Sequence, residues 1–243
     1  IKGPPEKIPK RLLLSSVLLT FFITGPLYIA GKHREDLLLY APQHRVQLIR
    51  EKEWIQGEWE NLPARRIDFE GELKQPLIFQ WAGRSEDLTV FLRRRGWRLP
   101  PPCTLRVFLG MLSPETRVEG LPLFPKLHEG RFERILLFQH AGRTRRVFRL
   151  WSTESQLKES GTPLWVGTME IQSVRRIGDF LSVPRDLKDY RKSQRILSGI
   201  FLEGCPYTFL QVVHRKSFQK TGEKIQEGFK WDGRTLLGMN LPP

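Results

Sequence analysis

Cysteine is scarce in this 243-residue chain, with only Cys103 and Cys205. Two cysteines cannot build a disulfide framework, and with no C-x-x-C and no second pair of ligands they cannot complete a structural zinc site. They read as ordinary half-buried thiols, with a single disulfide between them left open. Histidine is sparse too: His33, His44, His140 and His214 stand singly, without metal-ligand spacing. No serine sits in G-x-S-x-G, and neither a P-loop nor a G-x-G-x-x-G fingerprint occurs, which removes the motif-bearing hydrolases and nucleotide binders. Carboxylates are plentiful but scattered, so spacing singles out no two-acid site. Internal repeats and low-complexity linkers are absent.

Acidic residues are in deficit, 26 against 40 Lys+Arg, for a net charge of +14. Such a balance attracts phosphate-bearing partners, nucleic acid or anionic lipid. The basic residues are spread over many elements and no zinc finger or RNP-type strand appears, so nucleic acid is not the expected partner.

What the chain does have is one long apolar run. Residues 12–31, "LLLSSVLLTFFITGPLYIAG", carry no charge over 20 positions. At about 1.5 Å per residue a helix of that length reaches about 30 Å, one hydrocarbon core. Lys7, Lys10 and Arg11 bracket it on one side and Lys32, His33 and Arg34 on the other. A buried soluble helix would rarely stay apolar on every face, and a cleaved signal peptide would need a shorter core and small residues that Tyr28 interrupts. We therefore expect a transmembrane helix, the single or last span of its protein. Four basic residues flank it on each side, so the side of the membrane faced by the rest is undetermined. Residues 32–243 keep a net charge of +11.

The expected organisation is a basic flank (1–11), the transmembrane helix (12–31), a juxtamembrane segment (32–62) whose Trp54 and Trp59 pack on the domain, and an α+β domain (63–243). "RIDFEGEL" and "PLIFQWAG" alternate as strands. "RSEDLTVFLRRRGW" predicts a helix capped by Ser85 and stopped by Gly96, with Arg93 to Arg95 suiting its negative end. "TLRVFLGML" predicts a second short helix. "RFERILLF" and "RRVFRLW" across "QHAGRT" predict a hairpin, and "PLWVGTMEIQ" a third strand. A helix over "PRDLKDYRKSQRIL" follows, then strands in "YTFLQVVHRK" and "GFKWDGRTLLGMNL", the latter folding on Asp232-Gly233. Together these give an antiparallel sheet with a few packed helices, preceded by one transmembrane helix.

"FPKLHEGRFERILLF" (124–138) holds the one constellation that looks like chemistry. His128 and Glu129 open like the zinc-protease motif H-E-x-x-H, which needs a second histidine one helical turn on. Phe132 stands there instead, and Gly130 is a poor helix centre, so no metal and no cofactor is expected. Pro125 and Gly130 read as a turn feeding a strand. His128, Glu129, Arg131 and Trp165 are the candidate binding residues. For Trp81, Trp97, Trp151 and Trp165 we expect core positions, because an indole on an alternating strand is usually buried with its N–H satisfied locally.

"PLIFQWAG", "GWRLPPP", "LSP", "LPLFPKLHEGR", "VFRLW", "PLWVGT" and "WDGR", in that order over roughly residues 54–240, resemble the LssY carboxy-terminal-domain family of bacterial membrane proteins. The resemblance implies an accessory module, often carried behind membrane domains of the phosphatidic-acid-phosphatase or DedA type and associated with type I secretion. The phosphatase motifs themselves have no counterpart here. The expectation is a membrane-anchored, noncatalytic interaction domain at a bacterial inner membrane, with anionic phospholipid and an envelope or secretion protein as partners. The alternative is an enzyme acting on phosphorylated lipid or envelope precursors, with His128 as general acid or base and Arg131 gripping phosphate.

Overall fold

The computed structural model describes residues 46–113, 115–178, 181–203, 209–216 and 228–240, preceded by Thr20 and Thr24 alone. The chain divides into two compact units, Ile1–Pro42 and Gln43–Pro243. In the first, Thr20 and Thr24 are helical and the Thr24 hydroxyl donates to the Thr20 carbonyl at 2.7 Å. The expected span over 12–31 otherwise lies outside the described residues. Among the described residues no helix is long and apolar enough to cross a membrane.

The second unit is built on two long strands. β8 (Thr144–Leu157) and β9 (Pro163–Ile177) are rich in aromatic and β-branched residues, which suit a pleated surface. They pair antiparallel along most of their length, from Arg145 opposite Gln172 to Gln156 opposite Pro163, with an irregularity between Ser152 and Gln156. There Glu154 adopts a left-handed conformation (φ 58°), and bulged strands of this kind bend and twist more strongly.

Each long strand takes two neighbours along one edge. β7 (Ile135–Ala141) pairs antiparallel with the first half of β8, and β1 (Gln47–Ile49) runs parallel to its end. β4 (Phe79–Ala82) pairs with the first half of β9 and β10 (Leu181–Asp186) with the second. β12 (Arg234–Met239) runs parallel to β4, and β11 (Phe209–His214) closes the edge antiparallel to β12. The result is a curled eight-stranded sheet, mostly antiparallel as expected but with two parallel pairs. β4 and β12 lie far apart in sequence, and a long connection is what a parallel pair requires. Two small hairpins, β2 (Arg65–Ile67) with β3 (Leu73–Pro76) and β5 (Leu127–His128) with β6 (Arg131–Phe132), lie off it.

Four helices occur among the described residues: α1 (Glu51–Gln56), α2 (Ser85–Arg94), α3 (Leu105–Gly110) and α4 (Tyr190–Leu202). Strand alternation separates two cores. On one face Phe79, Trp81, Phe148, Leu150 and Met169 meet Leu88, Phe91 and Leu92 of α2 and Leu197 and Phe201 of α4. On the other, Trp151, Leu164, Val166 and Leu237 meet Trp54, Trp59 and Leu62, so Trp54 and Trp59 pack on the domain. Gly238 is required by this packing: a Cβ there would sit 2.9 Å from the Trp81 ring.

Five expectations need correction. "RIDFEGEL" is not one strand: β2 ends at Ile67, the chain turns over Asp68 to Glu72 on bonds to the Asp68 carboxylate, and β3 starts at Leu73. Arg84, not Ser85, holds the cap position of α2, and the Ser85 hydroxyl donates to Glu86. Pro184 does not open a helix; it lies in β10, on a sheet edge that tolerates its missing N–H, and α4 begins at Tyr190 with Asp189 accepting from the Lys192 N–H at 3.1 Å. Asp232-Gly233 does not fold a hairpin, because β11 supplies the antiparallel partner of β12, and Gly233 (φ 80°) instead accepts from the Arg215 N–H. Cys103 is exposed rather than half-buried, and Cys205 lies outside the described residues.

Candidate functional site

His128 and Arg131 face each other across a two-residue turn, Glu129 (φ 49°) and Gly130 (φ 77°), the left-handed pair of a type I′ hairpin. This hairpin docks on β2. The Glu129 N–H donates to the Ile67 carbonyl and the Ile67 N–H donates to His128 Nδ1, each at 3.1 Å. With Nδ1 accepting, the neutral ring carries its proton on Nε2. His128 is buried, its ring 5.9 Å from that of Trp151 in an edge-to-face contact. Burial, reinforced by the positive charges of Arg66 and Arg131, holds its pKa at about 4. At neutral pH the imidazole is uncharged and has no open lone pair, so it cannot serve as a general base.

The residues around it are engaged. Arg131 makes an ion pair with Glu154, the residue at the left-handed irregularity of β8. Burial pushes the Glu129 carboxyl up, Arg131 opposes that, and Glu154 adds to it. The turn thus joins His128, Glu129 and Arg131 with Glu154. Trp165 is elsewhere, on the α2 and α4 side of the sheet, with its indole N–H donating to the Gly83 carbonyl at 2.8 Å.

Beneath the hairpin lies a polar cluster that the sequence reading missed. Arg145, Val147, Arg149 and Trp151 share one face of β8, and Thr168, Glu170 and Gln172 share the matching face of β9. Alternation alone would turn these polar side chains to water. Residues 117–134 cover them instead. The Arg145 guanidinium donates to the carbonyls of Val118 (2.9 Å), Leu121 (2.6 Å) and Pro122 (2.9 Å), and Arg149 donates to that of Phe124 (2.9 Å).

Glu170, fully buried, is the hub. Its carboxylate accepts from Lys126 Nζ at 2.7 Å, Gln75 at 2.9 Å, Gln172 at 3.3 Å and Arg149 Nε at 3.4 Å. Lys126 also reaches Asp186 (3.1 Å), Arg149 reaches Glu133 (2.6 Å), and Arg66 donates to Gln75 (2.9 Å). Burial would push the Glu170 carboxyl up, but Lys126 and Arg149 outweigh it and hold the pKa at about 2. A buried charge persists only when paired in this way. The available signal was the facing of Arg145 and Arg149 by Glu170 on neighbouring strands.

A different arrangement lies at the far end of β9. Arg117, Arg143 and Arg176, all exposed, line a cleft of about 800 Å³ with Glu115 and Glu119. Glu119 faces His140 at 3.4 Å. Among the described residues, Asp68, Glu70 and Glu72 alone bring three ligand atoms of metal-binding type together. Lys74 already pairs with two of them, and the Asp68 carboxylate caps the turn by accepting from the Glu70 and Glu72 N–H groups.

Comparison with known proteins adds one match. No curated protein and no solved structure matches the chain. A family model described as the LssY C-terminus matches residues 59–176, from the buried Trp59 through the hairpin, the polar cluster and all but the last residue of β9. Residues 59–176, just under half of the chain, thus form a domain of the LssY C-terminus family.

Proposed function

We propose that this chain is a membrane-held, noncatalytic accessory module of the bacterial envelope, working through its surface. One observation carries the reading: the acids and cations gathered around Glu170, beneath the hairpin that holds His128, are largely buried and neutralise one another. Such a cluster fixes residues 117–134 on the sheet; it offers no open lone pair to a substrate. The uncharged run at 12–31 and the +11 balance beyond it support location at a membrane surface. For the alternative, an enzyme on phosphorylated lipid, His128 would have to be reachable and Arg131 unpaired, whereas one is buried and the other bound to Glu154.

The test uses the full chain. We expect it to stay in bacterial membranes through alkaline extraction and to release no phosphate from phosphatidic acid or isoprenyl phosphates. Release from the membrane overturns the anchored half of the proposal. Phosphate turnover that falls in a folded His128→Asn variant overturns the noncatalytic half.

A further inference from the structure

Residues 99–113 are the most exposed apolar stretch of the described domain. Arg106 is their only charge, and α3 at their centre has no buried residue. Leu105 is 76% exposed, Leu99, Leu109 and Leu112 are each more than half exposed, and Phe124 meets Phe108 in a tilted ring contact at 6.0 Å to extend the patch. The stretch is nonetheless fixed to the fold. Thr104 caps α3, the Thr116 hydroxyl donates to Gly110, the Ser182 N–H donates to Met111 at 2.7 Å, and the Ser182 hydroxyl donates to Ser113 at 2.9 Å. An apolar patch held open by hydrogen bonds is a contact surface, since soluble domains rarely display one without use.

The arginine cleft adjoins this patch. Ser182, which holds Met111, is the strand partner of Arg176, and Thr116, which holds Gly110, lines the cleft itself. Arg117, Arg143 and Arg176 have no ion pair or side-chain hydrogen bond among the described residues. Exposed leucines and phenylalanines lie beside a cleft in which three arginines outnumber Glu115 and Glu119, and such a composition suits an interfacial membrane element, apolar groups entering the acyl boundary while cations meet phosphate.

We propose that α3 with Phe124 enters the interface of an anionic bilayer and that Arg117, Arg143 and Arg176 bind its lipid phosphates. Residues 217–227, "SFQKTGEKIQE", have too few apolar side chains to cover this surface. This inference rests on the membrane-held reading, which keeps a bilayer at high effective concentration.

Cys103, exposed next to α3, gives the test a native reporter. The full chain with Cys205→Ser, carrying a solvatochromic probe on Cys103, is reconstituted in vesicles of phosphatidylcholine or of equimolar phosphatidylcholine and phosphatidylglycerol. The expected result is a blue-shifted probe, quenched by brominated lipid, in the anionic vesicles only and reversed by salt. A cation near an anionic surface contributes about fivefold, so R117A/R143A/R176A should lower the docked-to-undocked ratio by roughly a hundredfold. L105D/L109D should abolish quenching with an unchanged melting temperature, because neither leucine is buried. A probe that stays aqueous in anionic vesicles while the chain sediments with them overturns this inference alone. So does equal quenching in pure phosphatidylcholine, or a blue shift that requires an added protein. A chain that fails to sediment with either vesicle overturns the membrane-held reading together with it.

Discussion

Replacing Glu170 by glutamine tests the buried cluster most sharply. The substitution keeps the shape and removes the charge that Lys126 and Arg149 face. The Glu170 pKa is about 2 in the folded chain against an ordinary 4.5. A depressed acid contributes stability that is complete above its unfolded pKa and is lost as pH falls through the folded one. Glu170 therefore stabilises fully above about pH 5 and loses about 3 kcal/mol by about pH 2, at about 1.4 kcal/mol per pKa unit. His128 supplies an earlier limb. Its pKa falls from 6.5 to about 4 on folding, so protonation of the unfolded chain removes about 3 kcal/mol as pH drops from about 6.5 to about 4. The two together approach the whole stability of a typical domain, about 5–15 kcal/mol. The assay is urea unfolding of the full chain in detergent across this pH range, followed by tryptophan fluorescence. All seven tryptophans lie beyond residue 31, so the signal reports the domain. Glu170→Gln should lose about 3 kcal/mol at pH 7 and flatten the limb below pH 5, while His128→Asn, which retains an acceptor for the Ile67 N–H, should flatten only the upper limb. A Glu170→Gln curve parallel to wild type below pH 5 would refute the assignment of the charge.

Other outcomes follow from single contacts. Gly167→Ala would place a Cβ 2.8 Å from the Arg149 carbonyl, and it should cost about 1–3 kcal/mol in urea unfolding. Arg145→Ala removes the clasp on Val118, Leu121 and Pro122 and should cost about 3 kcal/mol, with faster amide exchange over 117–123 as the specific sign. Glu129→Asn suits the left-handed turn better than glutamate and should stabilise by about 1 kcal/mol, read as a higher melting temperature; a loss would mean the carboxylate does more than turn the chain. Trp165→Phe gives up the bond to Gly83 and should cost about 1 kcal/mol without altering the docking signal.

The strands and helices with strong periodicity were legible in the sequence. "RRVFRLW" and "PLWVGTMEIQ" alternate, and α2 shows its stripe of Leu88, Phe91 and Leu92 together with its glycine stop. Pro184 misled because proline opens helices and also sits on sheet edges, and only the pairing of β10 with β9 decides between them. Long-range pairing likewise hid the parallel contacts of β4 with β12 and β1 with β8. At the site, the turn was readable from Pro125 and Gly130, and the lack of a zinc motif from Phe132. The burial of Arg145, Arg149 and Glu170 was not, because an alternating strand marks its polar face without saying whether a loop will cover it. α3 was expected as a helix, but a run of leucines reads as core until its exposure is seen.

Amide hydrogen exchange of the full chain, compared between phosphatidylcholine vesicles and vesicles containing phosphatidylglycerol, puts the central claim to one test: the interior charges build the fold and the α3 face does the work. The expected result is added protection over 105–112 and around Arg117, Arg143 and Arg176 in the anionic vesicles, with 127–132 unchanged. Protection confined to 127–132, with 105–112 exchanging as before, would contradict it.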